Sequence, residues 1–200
     1  MNLGMRKLKT ILAALLLFVI VPGSLLFAQE QVAEEYEVKA LMLKSFTIYI
    51  NWPKGSRVYD KSRPFVLGVI GDNPFVIKKR GKETGQDWLT VSLGRQKIQN
   101  KEVEIRAISD IKEIAEVDFL FVSKSEKKNV DDIVEAARKN NVLTIGDTDG
   151  YAKKGILINI YVERGSPKFE VNLMAFLEAG FSADHRMLKL ARIINNPRDK

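Results

Sequence analysis

VLTIGDTDGYAKKGILINIYVERGSPKFEVNLMAFLEAGF, residues 142–181, is the stretch whose reading decides the fold. Val142 to Ile145 is a short apolar strand that stops at Gly146-Asp147, and Thr148-Asp149-Gly150 follow as a polar turn. After the loop Tyr151 to Gly155 come two β-rich runs, Ile156 to Val162 and Lys168 to Val171. The residues between them, Glu163-Arg164-Gly165-Ser166-Pro167, are hairpin punctuation. The second run passes straight into an apolar helical segment, Leu173 to Ala179, closed by Gly180. The rest of the chain is expected to pack onto this unit.

Upstream, strands alternate with helices. Phe119 to Val122 is a buried strand, and Val130, Ile133, Val134 and Ala137 mark an amphipathic helix running to Lys139. Phe65 to Ile70 is a continuous apolar strand ending in Gly71-Asp72-Asn73-Pro74-Phe75, the pattern of a βα junction. There Asp72 or Asn73 is expected to cap a short helix that Pro74 opens and that ends at Gly81 to Gly85. Trp88 to Leu93 and Val103 to Ile108 are expected strands, the first alternatively an irregular connection; Asp110 to Ala115 forms a short helix. The first element, Glu34 to Ile50, is a helix with Val38, Leu41, Met42, Phe46 and Tyr49 at helical spacing, stopped by Trp52-Pro53. Beyond Gly180, Ser182-Ala183-Asp184 caps a last helix that carries Met187, Leu188, Leu190, Ala191 and Ile194 toward the core. The expected class is a single α/β domain. Its sheet is mixed and mostly parallel, flanked by helices, with a C-terminal antiparallel hairpin and two C-terminal helices.

The first 28 residues read as a separate unit. Arg6, Lys7 and Lys9 precede the apolar run Ile11 to Val21, Pro22-Gly23-Ser24 breaks it, and Leu26-Phe27-Ala28 offers a cleavage site. This is the layout of a cleaved secretory signal peptide, leaving 29–200 as the mature domain. Eleven apolar residues are too short for a bilayer core that takes about 20, although an uncleaved anchor is the alternative. Cleavage takes the formal charge from +7 to +4, a matter of solubility and not a nucleic-acid footprint. With no cysteine, disulfides, thiol catalysis and thiolate metal sites are all excluded.

Catalytic chemistry is sparse. The single histidine, His185, lacks a partner at metal-ligand spacing, and no phosphate-binding glycine loop or nucleophile elbow is present. No catalytic residue, metal or cofactor is therefore assigned. Asp72, Asn73 and Asp147 follow apolar strands, at the carboxyl edge where α/β sheets bind ligands, and form the candidate small-molecule site. Turn and cap chemistry explains the same residues. Asp147-Thr148-Asp149-Gly150 starts like a calcium loop, but Lys153, Lys154 and Ile158 stand where later oxygen ligands belong. For a macromolecular partner the candidates are Tyr49 and Trp52 at the first helix end, and Tyr151, Lys153 and Lys154 in a glycine-flanked loop where Tyr151 is expected to stand exposed.

The order of these landmarks carries a resemblance. It begins with Tyr36 to Ala40, Trp52-Pro53 and Gly71 to Phe75, and continues with Leu120 to Val122, Leu143 to Asp147 and Gly150 to Ala152. Phe169 to Leu173, Ala179 to Phe181 and Leu188 to Arg192 close the series. Together, over about Tyr36 to Ile194, the chain resembles the YfiR-like proteins, DUF4154. The resemblance implies a periplasmic, non-enzymatic regulator that binds the periplasmic sensor domain of an inner-membrane diguanylate cyclase and lowers cyclic-di-GMP production. It also implies an outer-membrane lipoprotein that relieves the restraint; a homodimer is a further expected assembly. The resemblance also implies related domains that serve as extracytoplasmic sensors fused to signalling enzymes. The alternative role for this chain is a small-molecule-sensing module, using the Asp72, Asn73 and Asp147 edge and acting through a separate signalling partner. Some relatives carry cysteines that pair; here Asp118 stands just before the Phe119 strand and thiol control cannot carry over.

Overall fold

The computed structural model describes residues 35–79 and 82–195; the expected signal peptide lies outside the described residues. A helix over 35–49, α1, leads into a two-residue strand β1 (Ile50–Asn51). The strands β2 (Phe65–Ile70), β6 (Lys101–Ile108), β7 (Phe119–Val122), β8 (Leu143–Gly146), β9 (Ile158–Glu163) and β10 (Ser166–Asn172) build the sheet. Two edge pieces, β5 (Lys97–Ile98) and β12 (Arg192–Ile194), complete eight strands in the order β12-β10-β9-β8-β7-β2-β6-β5. The pairs β6/β2, β2/β7, β7/β8 and β8/β9 are parallel, β9/β10 is an antiparallel hairpin, and β12 joins β10 in parallel.

The central strands are buried on both faces because helices cover both, so they appear in sequence as unbroken apolar runs. On β2, Phe65, Leu67 and Val69 join a core with Ala40, Leu43 and Phe46 of α1. The alternate residues Val66 and Ile70 face a second core with Val130, Ile133 and Ala137 of α3 (Val130–Lys139). Helix α4 (Leu173–Glu178) packs on the α1 side through Phe176, as does α5 (His185–Leu190) through Met187. The hairpin turn is tighter than five residues. Arg164 and Gly165 both take positive φ, 52° and 76°, and Glu163 pairs directly with Ser166, as a two-residue turn matched to strand twist requires.

Three segments depart from the sequence reading. Pro74 opens no helix. Asn73 Oδ1 accepts from Phe75 N–H at 2.9 Å as an Asx turn, and the β-branched Val76 and Ile77 enter β3 (Val76–Lys79), which pairs antiparallel with β4 (Lys82–Asp87). Conversely, Trp88 to Leu93 is a helix, α2 (Trp88–Leu93), and not a strand. Asp87 caps it by accepting from Thr90 N–H at 2.9 Å, and Leu89 and Leu93, four apart, are both fully buried. The last helix stops at Leu190: Ala191 is extended (ψ 145°), and Arg192–Ile194 leave as strand β12.

Candidate functional site

The carboxyl ends of β2, β7 and β8 bring the expected acidic residues to one edge, but in unlike states. Asp72 and Asn73 are exposed; Asp72 N–H donates to Ser125 Oγ at 2.9 Å, and Asn73 is spent on its Asx turn. Asp147 turns inward, its side chain only 4% exposed. Its Oδ2 accepts from Lys39 Nζ at 2.7 Å and from the Tyr36 hydroxyl at 2.9 Å. Lys39, also 4% exposed, is held a second time by Glu35 at 2.6 Å and lies over the Tyr36 ring, 4.3 Å from its centroid. Tyr36 in turn stands edge-on to Phe75, with ring centroids 5.4 Å apart. Burial, and then the negative charge of Asp147, raises the Tyr36 phenol well above its ordinary value, so it remains a proton donor.

The expected open acid cluster is therefore corrected at Asp147. Its charge is matched by Lys39, one helical turn above Glu35, because a carboxylate removed from water must be paired. The Tyr-x-Val-Lys opening, Tyr36 to Lys39, is the partner that sequence reading missed. Spacing of three places both side chains on one side of α1, over the sheet edge.

Tyr151 is likewise corrected. It is 1% exposed, packed in the α3-side core, and its hydroxyl donates to the Ser123 carbonyl at 2.8 Å. The ring lies so close to Gly146 that a Cβ there would stand 2.6 Å from Tyr151 Cδ2. The Gly-Asp and Gly-Tyr landmarks are thus one packing unit, and burial raises the Tyr151 phenol too. Trp52 is also inside: it stands edge-on to Phe65, and Nε1 donates to the Asp118 carbonyl at 3.2 Å. Asp118, 2% exposed, ties the start of the parallel sheet together. Its carboxylate accepts from Arg63 at 2.7 Å and from Val66 N–H at 2.9 Å.

What reaches solvent is different. Lys153 and Lys154 are exposed on a 3-10 turn, Ala152–Lys154, and Lys154 pairs with Asp131 at 3.1 Å. Tyr49 is half-buried under the Arg186 guanidinium, 5.5 Å from its ring. On the outer side of α1, Val38, Leu41 and Ile48 are 42%, 48% and 69% exposed. Their spacing of three and seven aligns them as one apolar stripe. His185 is exposed beside Asp184, and among the described residues no group of His, Asp and Glu could hold a metal ion.

The family model DUF4154, YfiR/HmsC-like, matches residues 36–192. The chain belongs to this family. Its members are regulatory proteins of the periplasm, and among the described residues no helix is long and apolar enough to cross a membrane. No curated protein matches the chain. Solved structures similar to it include an ABC domain from Streptococcus pneumoniae in complex with L-Trp (13% identity, TM-score 0.43, covering 69% of this chain and 59% of that one). A conserved domain protein from Vibrio cholerae gives 9% identity and TM-score 0.44, covering 64% of this chain and 54% of that one. A DUF364 protein of unknown function from Pyrococcus horikoshii gives 14% and 0.31, with 70% and 57% covered. The chain spans less than two thirds of the length of each of these structures.

Proposed function

We propose that this protein is a periplasmic regulatory binding protein that restrains an inner-membrane diguanylate cyclase by binding its periplasmic sensor domain. The observation that carries the reading is the family match over 157 consecutive positions, residues 36–192. The inward-turned Asp147, Trp52 and Tyr151 agree with it: the landmark residues build the scaffold and leave recognition to the surface. The apolar stripe of α1, with Tyr49 at its end, is the docking surface of this reading, and the sensor domain is its occupant. Exposed aliphatic residues aligned along a helix suit a helix-face interface better than the charged turn at Lys153 and Lys154.

The test is a binding measurement with the sensor domain of the cognate cyclase, identified by genomic adjacency. Leu41→Asp and Ile48→Asp change exposed residues, so stability should move by no more than about 0.5 kcal/mol. Binding should weaken by about tenfold or more, in line with a loss of at least about 1.4 kcal/mol at an interface anchor. Charge reversal at Lys153 and Lys154 should leave it intact. Undiminished binding by both aspartate variants would remove α1 as the surface, and no complex with the wild type would remove the function.

A further inference from the structure

The loop before β2 and the turn before β6 border an open cleft of about 420 Å³ at the amino end of the sheet. Lys61, Arg63, Lys101 and Glu102 supply its charged lining, and Gln99 and Asn100 close one side. The last two occupy the two-residue turn between Ile98 and Lys101, both at positive φ (53° and 63°). Arg63 is satisfied by Asp118 at 2.7 Å and by the Glu116 carbonyl at 2.8 Å. Glu102 reaches away to Lys97 at 3.1 Å.

Lys101 is the exception. It is 5% exposed, yet its ammonium meets only two backbone carbonyls, Asp60 at 3.1 Å and Arg57 at 3.4 Å. Among the described residues no carboxylate forms an ion pair with it, in contrast to Lys39, which is held by two. An ammonium has three donors, so at least one remains for another acceptor. A buried cation held only by carbonyls is costly: burial lowers the lysine's proton affinity, and the nearby charges of Asp118 and Asp60 offset this only in part. We propose that this cleft binds a small oxyanion, a phosphate or carboxylate group, with Lys101 as its principal charge partner and Lys61 at its rim. Such a site gives the domain a small-molecule input at the opposite edge of the sheet from Asp72, and it stands independently of the cyclase reading.

The mature chain is titrated at constant ionic strength with sodium phosphate, and separately with sodium succinate, each replacing chloride. Unfolding midpoints and amide chemical shifts are followed. Wild type should show a saturable rise in midpoint with one or both anions, since a ligand of the native state alone stabilises it. Amide shifts should concentrate at residues 61–64 and 99–102. Phosphate and succinate distinguish the two sources of the anion. Lys101→Met keeps the apolar stem and removes a buried charge that no carboxylate contacts directly; its midpoint in chloride should equal or exceed that of wild type. Its anion affinity should fall by about tenfold or more. Lys61→Ala, at an exposed position, should weaken binding severalfold, which keeps the test open if Lys101→Met fails to fold. No saturable response in wild type, shifts centred elsewhere, or an unchanged response in Lys101→Met would overturn the site.

Discussion

Removing Lys39 tests whether the α1–sheet contact depends on a buried ion pair. Lys39 and Asp147 are each 4% exposed in their side chains and meet at 2.7 Å. Lys39→Met retains the aliphatic stem but leaves the Asp147 carboxylate with the Tyr36 hydroxyl as its remaining described side-chain partner. Breaking a buried pair from one side costs about 3–5 kcal/mol, because the surviving charge is stranded. The reverse change, Asp147→Asn, is milder, since Lys39 still has Glu35 at 2.6 Å and that carboxylate is 32% exposed. About 2–3 kcal/mol is expected there. The double variant strands no charge at this contact, so its cost should fall below the sum of the singles by roughly 2 kcal/mol, the range seen for directly contacting residues. The assay is urea unfolding of all four proteins at pH 7, with the slope checked for constancy. For a domain of this size about 2–4 °C accompanies each kcal/mol, so Lys39→Met should melt roughly 6–20 °C lower. A loss under about 1 kcal/mol for Lys39→Met, additive with Asp147→Asn, would refute the reasoning. The pair would then behave as a hydrated surface bridge.

Two further outcomes follow from single side chains. Asn172 accepts from Ala175 N–H at 3.1 Å, capping α4, and donates to the Ala152 carbonyl at 2.8 Å, so Asn172→Ala should cost about 2–3 kcal/mol in urea unfolding and leave partner affinity unchanged while folded. Wild-type stability with lost binding would mean that Asn172 is a contact residue. Asp184 is held well below the usual carboxylate range by the bonded Arg186 guanidinium. A depressed folded pKa stabilises above the unfolded value of about 3.9 and is lost as pH falls below it, so the gap between wild type and Arg186→Ala should be constant near neutrality and close in acid. A gap of the same size at pH 2 would contradict this.

The parallel sheet was legible because its strands are buried on both faces. Phe65–Ile70 and Phe119–Val122 show as unbroken apolar runs bounded by turn residues, and no tertiary information is needed to see them. The misread segments are those in which a local polar side chain decided between alternatives. WLTVSL has the β-branched residues of a strand, yet Asp87 satisfies the first-turn amide of Thr90, and burial of Leu89 with Leu93 selects the helix. Both signals stood in the sequence as an aspartate before the run and an i, i+4 leucine pair. At Pro74 the same competition went the other way, because Asn73 closes a turn on Phe75 that the extended Val76 and Ile77 then follow. β12 was beyond reach of periodicity. Arg192 aligns opposite Glu170 and bonds its carboxylate, Nε to Oε2 at 3.0 Å, a contact between residues 22 apart that only the folded sheet brings together.

For the candidate site, residue type located the edge but could not say which groups face water. Asp72 and Asp147 follow similar apolar strands, and what separates them is α1, more than a hundred residues from Asp147 in sequence, which delivers Lys39 and Tyr36 to one aspartate. The same argument applies to Tyr151. Flanking glycines suggested an exposed loop, whereas Gly146 lacks a side chain so that the ring can lie against the backbone. A glycine in a landmark motif therefore reports either freedom of φ, as at Gly150 (φ 83°), or closeness of a neighbour, as at Gly146. That distinction moves recognition away from the motifs. The proposed docking stripe is Val38, Leu41 and Ile48; the sequence placed the first two at helical spacing with Phe46 and did not single out Ile48. Helical periodicity identifies a helix's apolar residues, but α1 carries them on more than one side. Only contact with Phe169 and the sheet shows that Phe46 belongs to the core while Ile48, two residues on, remains open to solvent.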